Sequence, residues 1–133
     1  MRRRIFAVAL CLILSACAAA APALTPEAAI KVFQSSGLPV TNVTTTDVLL
    51  PEVQNAAPSC QSARFDAKGE DGIRIVVCGS ESDAAKVKKY YDVLGESNAL
   101  FFSHTFQRGN VMLQGSGGLD KALFDSYVAA LPK

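Results

Sequence analysis

His104 is the chain's single histidine, and a general acid or base is the first chemistry it suggests. That role needs a partner within hydrogen-bond reach. No G-x-S-x-G elbow occurs, and no serine or cysteine nearby has a recognisable nucleophile setting. His104 alternates with Phe102 and Phe106 on a face that reads as apolar, so a partly buried structural histidine is expected. Asp66, Glu70 and Asp71 crowd one turn and could offer oxygens to calcium, but their spacing departs from the calcium-loop pattern. A solvated turn is the plainer reading. Gly115-Ser116-Gly117-Gly118 lies between a strand and a helix, where backbone amides can hold an anion. It lacks the lysine of a phosphate-binding loop and the glycine spacing of a dinucleotide site. Gly117, Gly118 and His104 are therefore kept as ligand or partner contacts without a catalytic assignment. Tyr90 and Tyr91 are adjacent on a helical pattern, so only one can face the core. Tyr91 fits the stripe, which leaves Tyr90 beside Lys86 and Lys89 as a possible partner contact.

The N-terminus carries a different chemistry. Met1-Arg2-Arg3-Arg4 is basic, Ile5 to Leu14 is apolar, and Leu14-Ser15-Ala16-Cys17 closes the run with small residues. Basic start, apolar stretch and small-residue end are the order of a secretory signal. Ten apolar residues are short of the roughly 20 of a spanning helix. Leu14-Ser15-Ala16-Cys17 also resembles the lipobox of bacterial lipoprotein precursors. The resemblance implies removal of residues 1–16 and lipid on the sulphur and amino group of Cys17. Two or three acyl chains, at about 0.8 kcal/mol per buried methylene, hold a protein to a bilayer in effect permanently. Ala18 stands where such lipoproteins carry an aspartate when retained at the inner membrane. An outer-membrane destination follows if the source has two membranes. Ordinary cleavage among Ala18 to Ala21, or an uncut anchor, are the competing readings.

Cys60 and Cys78 remain as a pair once Cys11 leaves and Cys17 takes lipid. An even pair in an exported protein reads as a disulfide. Two strand patterns lie between them, Gln61 to Phe65 and Ile73 to Val77. A turn centred on Gly69 places opposite residues at numbers summing to 138, as Cys60 and Cys78 do. Their Cα atoms are then expected about 4.5 to 5.5 Å apart, within disulfide range.

A mature chain from Cys17 to Lys133 suits one domain with one core. Arg2, Arg3 and Arg4 leave with the signal, so 10 of 13 basic residues face 12 acidic ones, a net of −2. That balance, with Lys86, Lys88 and Lys89 as the only basic cluster, sets nucleic acid aside. With the cysteines committed and one histidine, zinc lacks ligands. No metal or cofactor is expected.

The elements that must position these residues follow from local signals. Residues 17–24 read as a lipidated tether, and residues 25–133 as a single α+β domain. Thr25-Pro26-Glu27 opens a helix, with Ala29, Ile30, Val32 and Phe33 on its apolar face and Gly37 and Pro39 ending it. Val40 to Val48 is threonine-rich and suits an exposed or edge strand. Leu49 to Ser59 reads as a loop. In the stapled hairpin, Ala63, Phe65, Ile73, Ile75 and Val77 face inward, with Arg64 and Arg74 on the other side. Ser80-Glu81-Ser82-Asp83 caps a second helix carrying Ala84, Val87, Tyr91 and Leu94, which Gly95 ends. Leu100 to Gln107 and Asn110 to Gln114 form a second hairpin, and Leu119 to Leu131 a last helix with Leu123, Tyr127 and Leu131 in register. The order α-β-β-β-α-β-β-α gives an antiparallel sheet of about five strands, with three helices packed mainly on one face.

From Ile75 to Leu131 the pattern is similar to small bacterial lipoproteins of unassigned function, in the strand and helix of Ile75 to Tyr91, in Gly109-Asn110-Val111-Met112-Leu113 and in Tyr127-Val128-Ala129-Ala130-Leu131. The likeness implies the fold and no catalytic residue. A non-catalytic, lipid-anchored envelope module that binds a protein or an envelope component is the leading expectation. A small-ligand-binding lipoprotein, with its pocket near His104 and Gly115 to Gly118, is the alternative.

Overall fold

A computed structural model describes residues 23–133. The signal sequence, Cys17 and most of the tether lie outside those residues. The elements run α1 (Pro26–Ser35), β1 (Thr41–Asp47), α2 (Pro51–Ala56), β2 (Gln61–Lys68), β3 (Asp71–Val77), α3 (Glu81–Ser97), a 3₁₀ turn (Ala99–Phe101), β4 (Ser103–Arg108), β5 (Val111–Ser116) and α4 (Lys121–Ala130). One five-stranded sheet, antiparallel at every pairing, has the order β1-β2-β3-β5-β4. The α+β class and the five strands agree with the sequence reading.

The placement of the helices corrects it. One buried cluster joins Ile30 and Phe33 of α1 and Phe124 and Tyr127 of α4 to Phe65, Ile75 and Leu113 of the sheet. A second joins Val53 of α2 and Val87 and Tyr91 of α3 to Val76, Met112, Cys60 and Cys78. Successive strand side chains alternate between faces, so the two clusters lie on opposite sides of the sheet. Two helices cover each. Val76 and Met112 needed that second cover, because two neighbouring central strands carry apolar residues on both faces. The extra helix, α2, arises within the stretch expected to be a loop: Pro51 stands in its first turn and Val53 is its buried contact. Gly95 does not end α3, which runs on to Ser97. Leu100 to Phe102, expected in a strand, form the 3₁₀ turn and its exit instead. In α4 the apolar face is Phe124, Tyr127 and Leu131, with Leu123 only half-buried.

The stapled hairpin has the expected register. Gln61 faces Val77, Ala63 faces Ile75 and Phe65 faces Ile73, and the ladder shifts once, between Asp66 and Lys68, before the turn at Gly69. Cys60 and Cys78 are bonded, with Cα atoms 3.9 Å apart, closer than expected. Neither amide crosses to the other cysteine: Cys60 N–H donates to Ala57 and Cys78 N–H to Asn110. Opposed residues that exchange no backbone hydrogen bonds are the closer kind of pair.

Candidate functional site

β4 is an edge strand, and what flanks it defines the site. In sheet order it pairs with β5 alone, in an unbroken register from Ser103–Ser116 to Arg108–Val111. Gly109, at φ +55°, and Asn110 make the two-residue turn, the glycine-first geometry of a tight hairpin. In such a hairpin the closing pair, Arg108 and Val111, exchanges backbone hydrogen bonds. By alternation Phe106 and His104 also bond inward. The amides and carbonyls of Ser103, Thr105 and Gln107 therefore point to the open side.

A groove of about 450 Å³ runs along this edge. Tyr91, Asp92 and Glu96 of α3 form one wall, and Lys121, Phe124 and Asp125 of α4 form the other. These helices lie on opposite faces of the sheet, so a cavity lined by both must wrap the edge of β4. The floor is set by alternation. His104 stands on the α4 side, its ring 5.3 Å from that of Phe102 and 5.5 Å from that of Phe124. His104 Nε2 is 2.8 Å from the Leu119 carbonyl oxygen. A carbonyl only accepts, so Nε2 carries the proton, and Nδ1 is an acceptor in the neutral ring. On the α3 side Thr105 Oγ1 donates to Asp92, whose other oxygen takes Lys88 Nζ at 2.6 Å. Ser103 Oγ is buried in the groove wall without a hydrogen-bond partner. Leading into β4, Leu100, Phe101 and Phe102 are 87%, 58% and 50% exposed, and Phe102 lines the groove.

The residues singled out in the sequence do not converge on one place. His104 is in the groove, half-buried as expected. Gly117 and Gly118 are not: they let chains approach. A Cβ on Gly117 would stand 2.5 Å from the Phe102 carbonyl oxygen, and one on Gly118 2.8 Å from an Asp71 oxygen. Tyr90 lies elsewhere, on an apolar cleft between α2 and α3 that Val53, Lys86, Lys89 and Val93 also line. Asp66 and Asp71 turn to separate partners, Asn42 Nδ2 at 2.8 Å and Ser116 Oγ at 2.9 Å. Among the described residues no cluster of histidine, cysteine and carboxylate side chains could hold a metal ion.

A polar cluster that the sequence did not reveal lies under α3. Arg74 Nε is 2.6 Å from Asp47 Oδ2, and Arg74 Nη1 donates to Tyr91 Oη at 2.6 Å and to Gln114 Oε1 at 3.1 Å. Ser62 Oγ adds a bond to Asp47 Oδ2 at 2.8 Å. Burial pulls the Arg74 pKa down, but the bond to Asp47 and the field of Tyr91 and Asp47 outweigh it and hold the pKa above its ordinary value. Burial pushes the Tyr91 phenol up. The hydrophobic period of the strands placed Arg64 and Arg74 together on the face away from Phe65 and Ile75 and gave no signal of the partners from β1, α3 and β5.

No family model, curated protein or solved structure matches the chain.

Proposed function

We propose that this chain is an exported bacterial lipoprotein, held in the envelope by lipid on Cys17, whose non-catalytic domain binds a protein or another envelope component. The lipobox resemblance of Leu14-Ser15-Ala16-Cys17 supports the anchor, and the closed Cys60–Cys78 bond suits a compartment outside the reducing cytosol. Among the described residues no helix is long and apolar enough to cross a membrane, so in this reading the lipid does the anchoring. The net charge of −2 in the mature chain argues against nucleic acid. With two membranes in the source, Ala18 favours the outer one.

The open edge of β4 between two helical layers carries the binding reading. A sheet edge of this kind is a template for another chain. The role of His104 as a wall between two phenylalanines, with Nε2 held by a backbone carbonyl, supports a non-catalytic part. Labelled palmitate should enter the wild-type protein and not a Cys17→Ser form, which should fractionate away from membranes. Crosslinking in the native envelope should capture one stoichiometric partner; random neighbours alone would count against the reading.

A small-ligand carrier is the second reading. The same 450 Å³ groove, with Ser103 Oγ unpartnered beside it, favours it. Mass spectrometry of small molecules released from the purified protein separates the two: one stoichiometric compound with no protein partner would favour the carrier.

A further inference from the structure

From the two edges of the sheet we infer that β4 is the docking strand, and that its occupant is an extended peptide carrying basic side chains, which adds to the sheet as a sixth strand. The inference rests on the binding reading above and names the surface and the chemistry of the partner. The two edges are treated differently. β1 is irregular: its pairing with β2 shifts register twice, and Asn42 sits at φ +49°. Such bulges blunt an edge against further pairing. β4 has no shift from Ser103 to Arg108. Its outward amides and carbonyls at Ser103, Thr105 and Gln107 stay in one regular row, and Leu100 and Phe101 stand exposed at the end of that row. An added strand gains its affinity from main-chain hydrogen bonds and its selectivity from alternate side chains.

The charge of the walls selects the occupant. Three carboxylates, Asp92, Glu96 and Asp125, line the groove against one lysine, Lys121. Lys121 pairs with Asp125, and Lys88, from outside the lining, pairs with Asp92. Glu96 has no ion pair among the described residues. The groove is therefore net negative, and alternate lysines or arginines on an incoming strand complement it. A second copy of this chain fits worse. Antiparallel pairing of β4 with itself about a two-fold axis keeps each face of the sheet on its own side, so α3 meets α3 and the net-negative groove of one copy is set against that of the other. Like charges brought together in this way oppose association.

The test uses the full chain purified from its envelope in detergent micelles. The probe is a capped octapeptide alternating lysine and valine, compared with a glutamate-for-lysine peptide and with a lysine peptide N-methylated at alternate amides. Calorimetry should show the lysine peptide binding, with affinity at least tenfold weaker for each of the other two. Amide exchange at Ser103, Thr105 and Gln107 should slow at least tenfold on binding. Thr105→Pro removes one outward amide without cutting the ladder to β5 and should abolish binding. The N-methylated peptide, used on the unaltered protein, keeps the test valid if that variant fails to fold. Equal binding of the N-methylated peptide, no binding of the lysine peptide, or protection elsewhere would overturn the inference. So would a concentration-dependent dimer that Thr105→Pro dissolves, which would assign the edge to a second copy. If envelope crosslinking still captures one partner while the lysine peptide does not bind, the binding reading stands and only the docking strand is wrong. If palmitate fails to label Cys17 while the peptide binds β4, only the anchor is wrong.

Discussion

Arg74 shows how one side chain can hold several elements. Its guanidinium joins the end of β1 through Asp47, α3 through Tyr91 and β5 through Gln114. The side chains of Arg74 and Asp47 are 20% and 8% exposed, so removing one partner leaves a charge with little water to replace it. Asp47→Ala should cost about 3 kcal/mol in denaturant unfolding. Replacing both as Asp47→Leu with Arg74→Met should recover most of that loss, because a desolvated pair often does no better than an apolar one. Gly117 acts by its lack of a side chain. Gly117→Ala sets a methyl 2.5 Å from the Phe102 carbonyl, and overpacking of this kind costs about 2 kcal/mol. Thermal melts of Gly117→Ala should drop while melts of a Glu70→Ala control on the exposed turn stay close to the parent. His104 was legible as a half-buried residue from its aromatic neighbours. The Arg74 cluster was not, because its members come from four strands and a helix spread from Asp47 to Gln114.

At the scale of elements, the hairpin β2–β3 is where local sequence and structure agree best. The glycine at position 69 takes φ +61°, and a register shift between Asp66 and Lys68 sets the pairing that brings Cys60 to Cys78. Closing an 18-residue separation restricts the unfolded chain and contributes about 3 kcal/mol. A Cys60→Ser/Cys78→Ser form should lose about that much in urea unfolding, and circular dichroism should show an unchanged fold before the transition. Short-range signals served α1 equally well: Thr25 Oγ1 caps it by accepting from Ala28 N–H at 3.2 Å. They failed at Leu49 to Ser59 and at Leu100 to Phe102. Two prolines in the first stretch read as loop, yet Pro51 is admitted to a helix's first turn. The second stretch has the composition of a strand, but Asn98 accepts from Leu100 N–H at 2.9 Å and coils it into a 3₁₀ turn.

The described domain is a sheet with a helical layer on each face, each layer with its own apolar cluster. A buried tyrosine stands in each layer. Tyr91 lies under α3 with Arg74, and Tyr127 of α4 donates to the Pro39 carbonyl while packing on Phe33 and Phe65. Burial raises both phenols above their ordinary pKa of 10.0. A folded value above the unfolded one means stability that is complete below pH 10 and falls as pH rises through the folded values. Unfolding free energy should therefore hold level up to about pH 10 and then decline. Absorbance at 295 nm should show these two phenols ionising together with the loss of the fold. Independent ionisation of both with no loss of stability would refute the coupling.

Sequence alone determined the class of the domain, the two hairpins, the disulfide register and the starts of α1 and α3, because each depends on neighbours a few residues apart. It also supplied the N-terminal pattern on which the anchoring proposal rests. Tertiary structure decided the rest. Only the strand order β1-β2-β3-β5-β4 put β4 at an edge and set α3 and α4 on either side of it. Periodicity tells which residues of a strand share a face, and it carries no information about which strand lies beside which. The groove follows from that adjacency.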